Sequence, residues 1–135
     1  MRLKYLLDSD TSITIIRRRP PAVLDHFKGL QPGDAGISVI VYLELLQGAV
    51  KSKNPDDSVA AVEAYVEVIP VIPMDSSVGL HYARIRGELE RAGTVIGPHD
   101  MLIAAHALSL NLPLVTGNVR EYNRVKGLRV ENWIR

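Results

Sequence analysis

The chain reads as an α/β protein: a three-layer α/β/α sandwich built on a central, mostly parallel sheet. Three observations predict it. Short apolar runs at residues 3–7 and 112–116 stop at polar or turn residues, the pattern of strands buried on both faces. Longer segments with helical spacing and recognisable caps lie between the strands. Strands that alternate with helices close into a parallel sheet through right-handed crossovers, which leaves helices on both faces.

The elements follow in order. Residues 3–7 form the first strand, and Asp8-Ser9-Asp10-Thr11 leads into a helix from Thr11 to about Arg18, with Asp10 or Thr11 near its cap and Pro20-Pro21 as its stop. Residues 21–29 make a second short helix ended by Gly29, and Gln31-Pro32-Gly33-Asp34 is a turn. Ile37–Ser38 is a short strand, and Ser38 caps a helix over residues 39–50. Asn54-Pro55-Asp56-Asp57 opens a helix over 56–67. Residues 68–73 carry two prolines and so suit an edge strand. Asp75 caps a helix over 76–92 that Gly93 closes, and Gly97-Pro98 starts another to about residue 110. Strands at 112–116 and 128–131 complete the pattern, and the whole of residues 1–135 reads as one domain without repeats or linkers.

The bulk numbers exclude several classes. Apolar residues make up 47% and charged residues 23%, an ordinary globular balance, so the chain is neither a disordered tail nor a membrane span. With no cysteine there is no disulfide, no thiolate zinc site and no cysteine nucleophile. That usage, with an opening apolar stretch too short for a signal sequence, predicts a cytoplasmic protein with no membrane association. The net charge of +1 names no partner, but Arg17-Arg18-Arg19 and the C-terminal Arg120, Arg124, Lys126 and Arg129 are locally basic.

Four polar residues sit in unexpected places. Asp8 ends a buried strand, where a carboxylate is costly to bury and useful for holding a cation. Glu44 lies in Val39-Ile40-Val41-Tyr42-Leu43-Glu44-Leu45-Leu46, with Ile40 and Val41 on its own helical face. Asp100 occupies the first turn of the helix at Gly97-Pro98-His99-Asp100. Asn118 follows the strand Leu114-Val115-Thr116 and belongs at the same sheet edge as Asp8. Each has a plainer alternative: a structural ion pair for Glu44, a dipole-favoured first-turn acid for Asp100, a simple turn for Thr116-Gly117-Asn118. If the four meet, they form an oxygen-rich pocket whose crowded carboxylates need a cation, and hard oxygen donors select Mg²⁺ or Mn²⁺ over zinc.

Four stretches together make the chain recognisable: Leu6-Leu7-Asp8-Ser9-Asp10-Thr11; Ile37-Ser38-Val39-Ile40 through Glu44-Leu45-Leu46-Gln47-Gly48-Ala49; Ile96-Gly97-Pro98-His99-Asp100-Met101-Leu102-Ile103-Ala104; and Val115-Thr116-Gly117-Asn118-Val119-Arg120-Glu121-Tyr122, with Glu131-Asn132-Trp133 closing. In order and spacing they resemble the PIN-domain ribonucleases, and within them the VapC-type toxins of bacterial toxin–antitoxin pairs. The resemblance spans nearly the whole chain. It implies a metal-dependent endoribonuclease that hydrolyses RNA phosphodiester bonds, with transfer RNA as a substrate class. It implies that Asp8, Glu44 and Asp100 bind Mg²⁺ or Mn²⁺, and that Thr116 and Asn118 occupy a fourth catalytic position where many members carry Asp. It further implies a cognate antitoxin and a homodimer. Asp10 stands where similar toxins usually have Asn; it either restores the missing charge or caps its helix. An acidic pocket repels RNA, so flanking cations are needed, and Arg84, Arg86, Arg91, Arg120 and Arg124 are candidate phosphate contacts.

Two other readings differ in kind. Asp8-Ser9-Asp10-Thr11-Ser12 imitates the nucleophile loop of a haloacid-dehalogenase-like phosphatase, with Asp8 attacking and Asp10 as acid. Asn118 in place of an acid suggests a PIN-like module that binds RNA or protein without cutting it. The phosphatase has no use for Glu44, and the binding module none for Asp100. His99 and His106, seven apart, lack a third ligand for zinc.

Overall fold

A computed structural model describes residues 2–134. Strands β1 (Tyr5–Leu7), β2 (Ala35–Ser38), β3 (Val71–Ile72), β4 (Leu114–Val115) and β5 (Val130–Glu131) form one sheet in the order β3-β2-β1-β4-β5. All neighbours pair in parallel, and Leu6 lies opposite Leu114 and Leu7 opposite Val115. The expected parallel sheet is therefore present, with the proline-bounded strand at its edge. Helices α1 (Ser9–Arg17), α2 (Pro21–Lys28), α3 (Val39–Val50) and α4 (Pro55–Val68) connect β1 to β2 and β2 to β3. Helices α5 (Val78–Ala92) and α6 (Pro98–Leu110) carry the chain back to β4, and α7 (Val119–Tyr122) links β4 to β5. Right-handed crossovers put α1–α4 on one face and α5–α7 on the other. The packing of α3 on α4 and of α5 on α6 agrees with that division.

The central strands are buried on both faces: Leu6, Leu7, Ile37, Leu114 and Val115 are fully enclosed. Helix α6 is almost as buried, with Met101, Ile103, Ala104, Ala105 and Ala107 in the core. It needs no amphipathic stripe because protein covers it nearly all round. Strand order reverses between β1 and β4, since β1 leads to one side of the sheet and β4 lies on the other. Ligands in open α/β sheets bind at such a switch point, beyond the strands' carboxyl ends.

Helix boundaries differ from expectation at the two places nearest this edge. Helix α1 starts at Ser9, two residues early, with Asp8 as its N-cap. Asp10 therefore lies in the first turn and does not cap the helix. Helix α7 is an unexpected turn of helix in what reads as a loop; at four residues it is too short to show periodicity.

Helix α3 begins where expected because Ser38 accepts the Ile40 N–H at 3.2 Å. The same Oγ lies 2.8 Å from Nδ1 of His106, which is buried on α6. Burial holds the His106 imidazole below its usual pKa, so it stays neutral and can accept. This contact ties the start of α3 to α6, the two helices that carry Glu44 and Asp100. Ser38→Ala removes the cap and orphans a buried nitrogen; an expected loss of about 2–3 kcal/mol would appear as a lower urea midpoint at unchanged slope.

Candidate active site

The carboxyl edge of β1 and β4 positions the first group. Asp8 N–H bonds the Val115 carbonyl at 2.9 Å, which carries the β1–β4 ladder one residue past the strand and aims Asp8 into the edge. The carboxylate is 6% exposed. Thr116 Oγ1 donates to its Oδ2 at 2.8 Å. Burial above all, then the charge of Asp10, pushes the Asp8 carboxyl up to about 7, against the Ser9 N–H and the Thr116 hydroxyl; Asp100 adds a further rise. Two carboxylates and strong desolvation act on one carboxylate that only short-range donors stabilise.

Asp10 is not the N-cap of its helix, but its charge reaches Asp8, and it has partners beyond its own helix. Its Oδ2 accepts the Gly117 N–H at 2.8 Å, across 107 residues of sequence, and Oδ1 accepts its neighbour Thr11 N–H at 2.7 Å. Asp10 thus latches α1 to the turn after β4. A Cβ on Gly117 would stand 2.8 Å from both Asp10 Oδ2 and Ile134 Cδ1. Gly117→Ala should strain this latch and cost about 1 kcal/mol, measurable by chemical denaturation.

Glu44 reaches the edge from α3 and is partly buried. Ser9 Oγ donates to its Oε1 at 2.6 Å, and His99 Nδ1 lies 3.3 Å from its Oε2. Asp100, in the first turn of α6, is half-buried, and Tyr122 Oη donates to its Oδ1 at 3.0 Å. Burial raises the Asp100 carboxyl, and Glu44 and Glu121 raise it further, against the Tyr122 hydroxyl and His99. Glu44, His99 and Asp100 line one surface pocket at this edge, and the charge of Asp100 in turn reaches Asp8. Tyr122 feels all three acids: burial first, then Asp8 and Asp100, hold its phenol far above the usual range. It is a donor at any working pH.

Asn118 turns its amide nitrogen to a neighbouring acid on α7. Its Nδ2 donates to Glu121 Oε2 at 3.0 Å, and its backbone N–H donates to Thr116 Oγ1 at 3.0 Å. The acid that perturbs Asp100 from this side is Glu121, one helical turn on. Sequence reasoning left Glu121 and Tyr122 without roles. The signal available was the Asn118-x-x-Glu121 spacing, which faces one side only if residues 119–122 are helical.

Among the described residues, no three His, Cys, Asp or Glu side chains stand in an arrangement that would hold a metal ion as they are. Local bonds explain this: Glu44 is turned to Ser9 and His99, and Asp10 to Gly117. The donor chemistry nevertheless fits a hard divalent cation. The acids are all oxygen donors, and the raised carboxyls of Asp8 and Asp100 mark uncompensated negative charge that such an ion would relieve.

The candidate phosphate contacts are less uniform than expected. Arg84 and Arg120 are exposed. Arg86 is exposed but engaged, with Nη1 donating to Tyr82 Oη at 2.7 Å and Nε to Glu90 at 3.2 Å. Arg124 reaches the Val95 carbonyl at 3.4 Å, on the loop before Asp100.

An all-parallel sheet with acids gathered at its switch point defines a class: an α/β protein whose edge suits cation-assisted chemistry on an anionic substrate. Comparison with known proteins narrows it. Residues 5–128 match the PIN domain. The tRNA(fMet)-specific endonuclease VapC of Salmonella typhimurium is 40% identical over 131 residues, covering 97% of this chain and 98% of that protein. The DNA-bound VapBC structure from the same organism superposes with a TM-score of 0.90 at 40% identity, covering 97% of this chain and 98% of that one. VapBC-1 from nontypeable Haemophilus influenzae superposes at 0.89 with 34% identity, covering 98% and 100%. The chain belongs to the PIN-domain family, on its VapC branch.

Proposed function

We propose that this protein is a divalent-metal-dependent endoribonuclease, the toxin of a toxin–antitoxin pair, and that it cleaves transfer RNA. The observation that carries the reading is that Glu44 and Asp100 line one pocket beside the switch point, with Asp8 held by Thr116 at the end of β1 and Glu121 held by Asn118 on α7. Glu121 supplies the charge that Asn118 lacks, which removes the argument for a non-cutting module. The phosphatase reading loses its acid, because both oxygens of Asp10 are engaged by backbone N–H groups. The printed substrate of the Salmonella relative supports transfer RNA, and the VapBC assemblies support an antitoxin partner. Exposed Leu43 and Val50, seven residues apart on one side of α3, support association with a second copy. Among the described residues no helix is long and apolar enough to cross a membrane, and the cytoplasm is where the proposed substrate resides.

A Mg²⁺ or Mn²⁺ ion held by Asp8, Glu44 and Asp100 would supply an activated water and charge stabilisation at the scissile phosphate. The chain's own residues prepare the site. Thr116 holds the Asp8 carboxylate, Ser9 and His99 orient Glu44, and Asp10 fixes the Thr116–Asn118 turn. Arg84 and Arg120 attract the RNA backbone against the acidic edge, whereas Arg86 has less to offer because its guanidinium is already partnered. Induced expression in a bacterial host tests the reading: discrete transfer RNA fragments and growth arrest are expected, both absent in Glu44→Gln. An intact transfer RNA pool, or equal arrest by the Gln variant, would contradict it.

A further inference from the structure

We propose that Tyr122 is a positioning residue for Asp100: its buried hydroxyl fixes the rotation of that carboxylate and directs one oxygen into the site. The inference rests on the nuclease reading above and deepens it.

The two side chains differ in freedom. Tyr122 is 0% exposed, so packing fixes its ring and hence its hydroxyl. Asp100 is only half-buried, at a helix start, where a short carboxylate rotates readily without a restraint. The Tyr122 Oη donates to Oδ1 at 3.0 Å and supplies that restraint. Asp100 is also the partner to which this buried hydroxyl donates. The other oxygen meets a different surrounding. A Cβ on Gly97 would lie 3.1 Å from Oδ2, so the glycine at the N-cap of α6 leaves that oxygen uncrowded. One oxygen is tied and the other is left open. A hydroxyl also ties one oxygen of Asp8, where Thr116 donates to Oδ2. Tyr122 differs in coming from α7, the turn of helix that also bears Arg120 and Glu121. Its hydroxyl therefore sets α7 against α6, as well as setting Asp100.

Groups that orient a metal-binding carboxylate from behind typically change metal affinity or activity about 10–100-fold when removed. Tyr122→Phe keeps the ring and deletes only the donor. Mn²⁺ binding measured by titration calorimetry on the purified full chain is expected to weaken about tenfold. The kcat for RNA cleavage should fall by a similar factor, with KM for RNA within about twofold of wild type. In an Asp100→Ala background the same Phe substitution should change Mn²⁺ affinity by less than about twofold, because the group it orients is gone. A merely structural tyrosine would lower the melting temperature and leave Mn²⁺ affinity unchanged. Phe-variant affinity within about twofold of a wild type that does bind Mn²⁺ overturns the inference and spares the nuclease reading. A wild type that binds no Mn²⁺ overturns both.

Discussion

Asp100→Asn is expected to lower RNA cleavage by roughly a hundred- to a thousandfold, with the fold unharmed. Asn keeps the shape and can still accept from Tyr122 Oη, so packing around the start of α6 is preserved. What disappears is a negative charge at a point where Glu44 and Glu121 already crowd it. That charge is unfavourable for folding and useful only toward a cation. Circular dichroism and thermal melts of the variant should match or exceed wild type, and initial rates on transfer RNA should collapse. Equal loss of structure and rate would mean that Asp100 is a structural first-turn acid.

Asp8→Asn is expected to stabilise the metal-free protein by about 1–3 kcal/mol at pH 8. In the folded state the Asp8 carboxyl is pushed up to about 7 from its ordinary 3.8, chiefly by burial and then by Asp10. Between those values the folded protein holds a proton that the unfolded chain has released. The contribution of Asp8 to stability is therefore most favourable below about pH 4 and declines as pH rises to about 7, beyond which the full cost of the buried charge is felt. Melting temperatures taken in EDTA from pH 5 to 8 should fall more steeply for wild type than for the Asn variant. Excess Mn²⁺ should reverse the ranking at pH 8, because a cation that binds only the folded wild type stabilises it. An Asn variant less stable than wild type in EDTA at pH 8 would refute this account of Asp8.

The sequence was most readable where a local signal stands alone. Gly97-Pro98 and Gly93 marked the start of α6 and the end of α5, because proline in a first turn and a left-handed glycine act through the backbone itself. Asp8 stood out because an acid ending a buried strand is costly wherever the strand sits. Legibility failed where a contact depends on two distant pieces meeting. Asp10 looked like a cap because its neighbours in sequence are helical, yet Gly117 claims it. Glu121 and Tyr122 sit on a helix of four residues; Glu121 faces Asn118 only once that turn is helical, and Tyr122 meets Asp100 from 22 residues away. Asn118 itself suggested a missing charge. The geometry instead makes it the holder of a carboxylate three residues on.

The central claim is that these acids serve metal-dependent hydrolysis of RNA. Its most direct test is incubation of total transfer RNA with purified, antitoxin-free protein in Mg²⁺ or Mn²⁺, with EDTA and Asp100→Asn as controls. The account predicts discrete fragments that vanish in both controls. Cleavage that persists in EDTA, or no cleavage by a folded, metal-loaded sample, would contradict it.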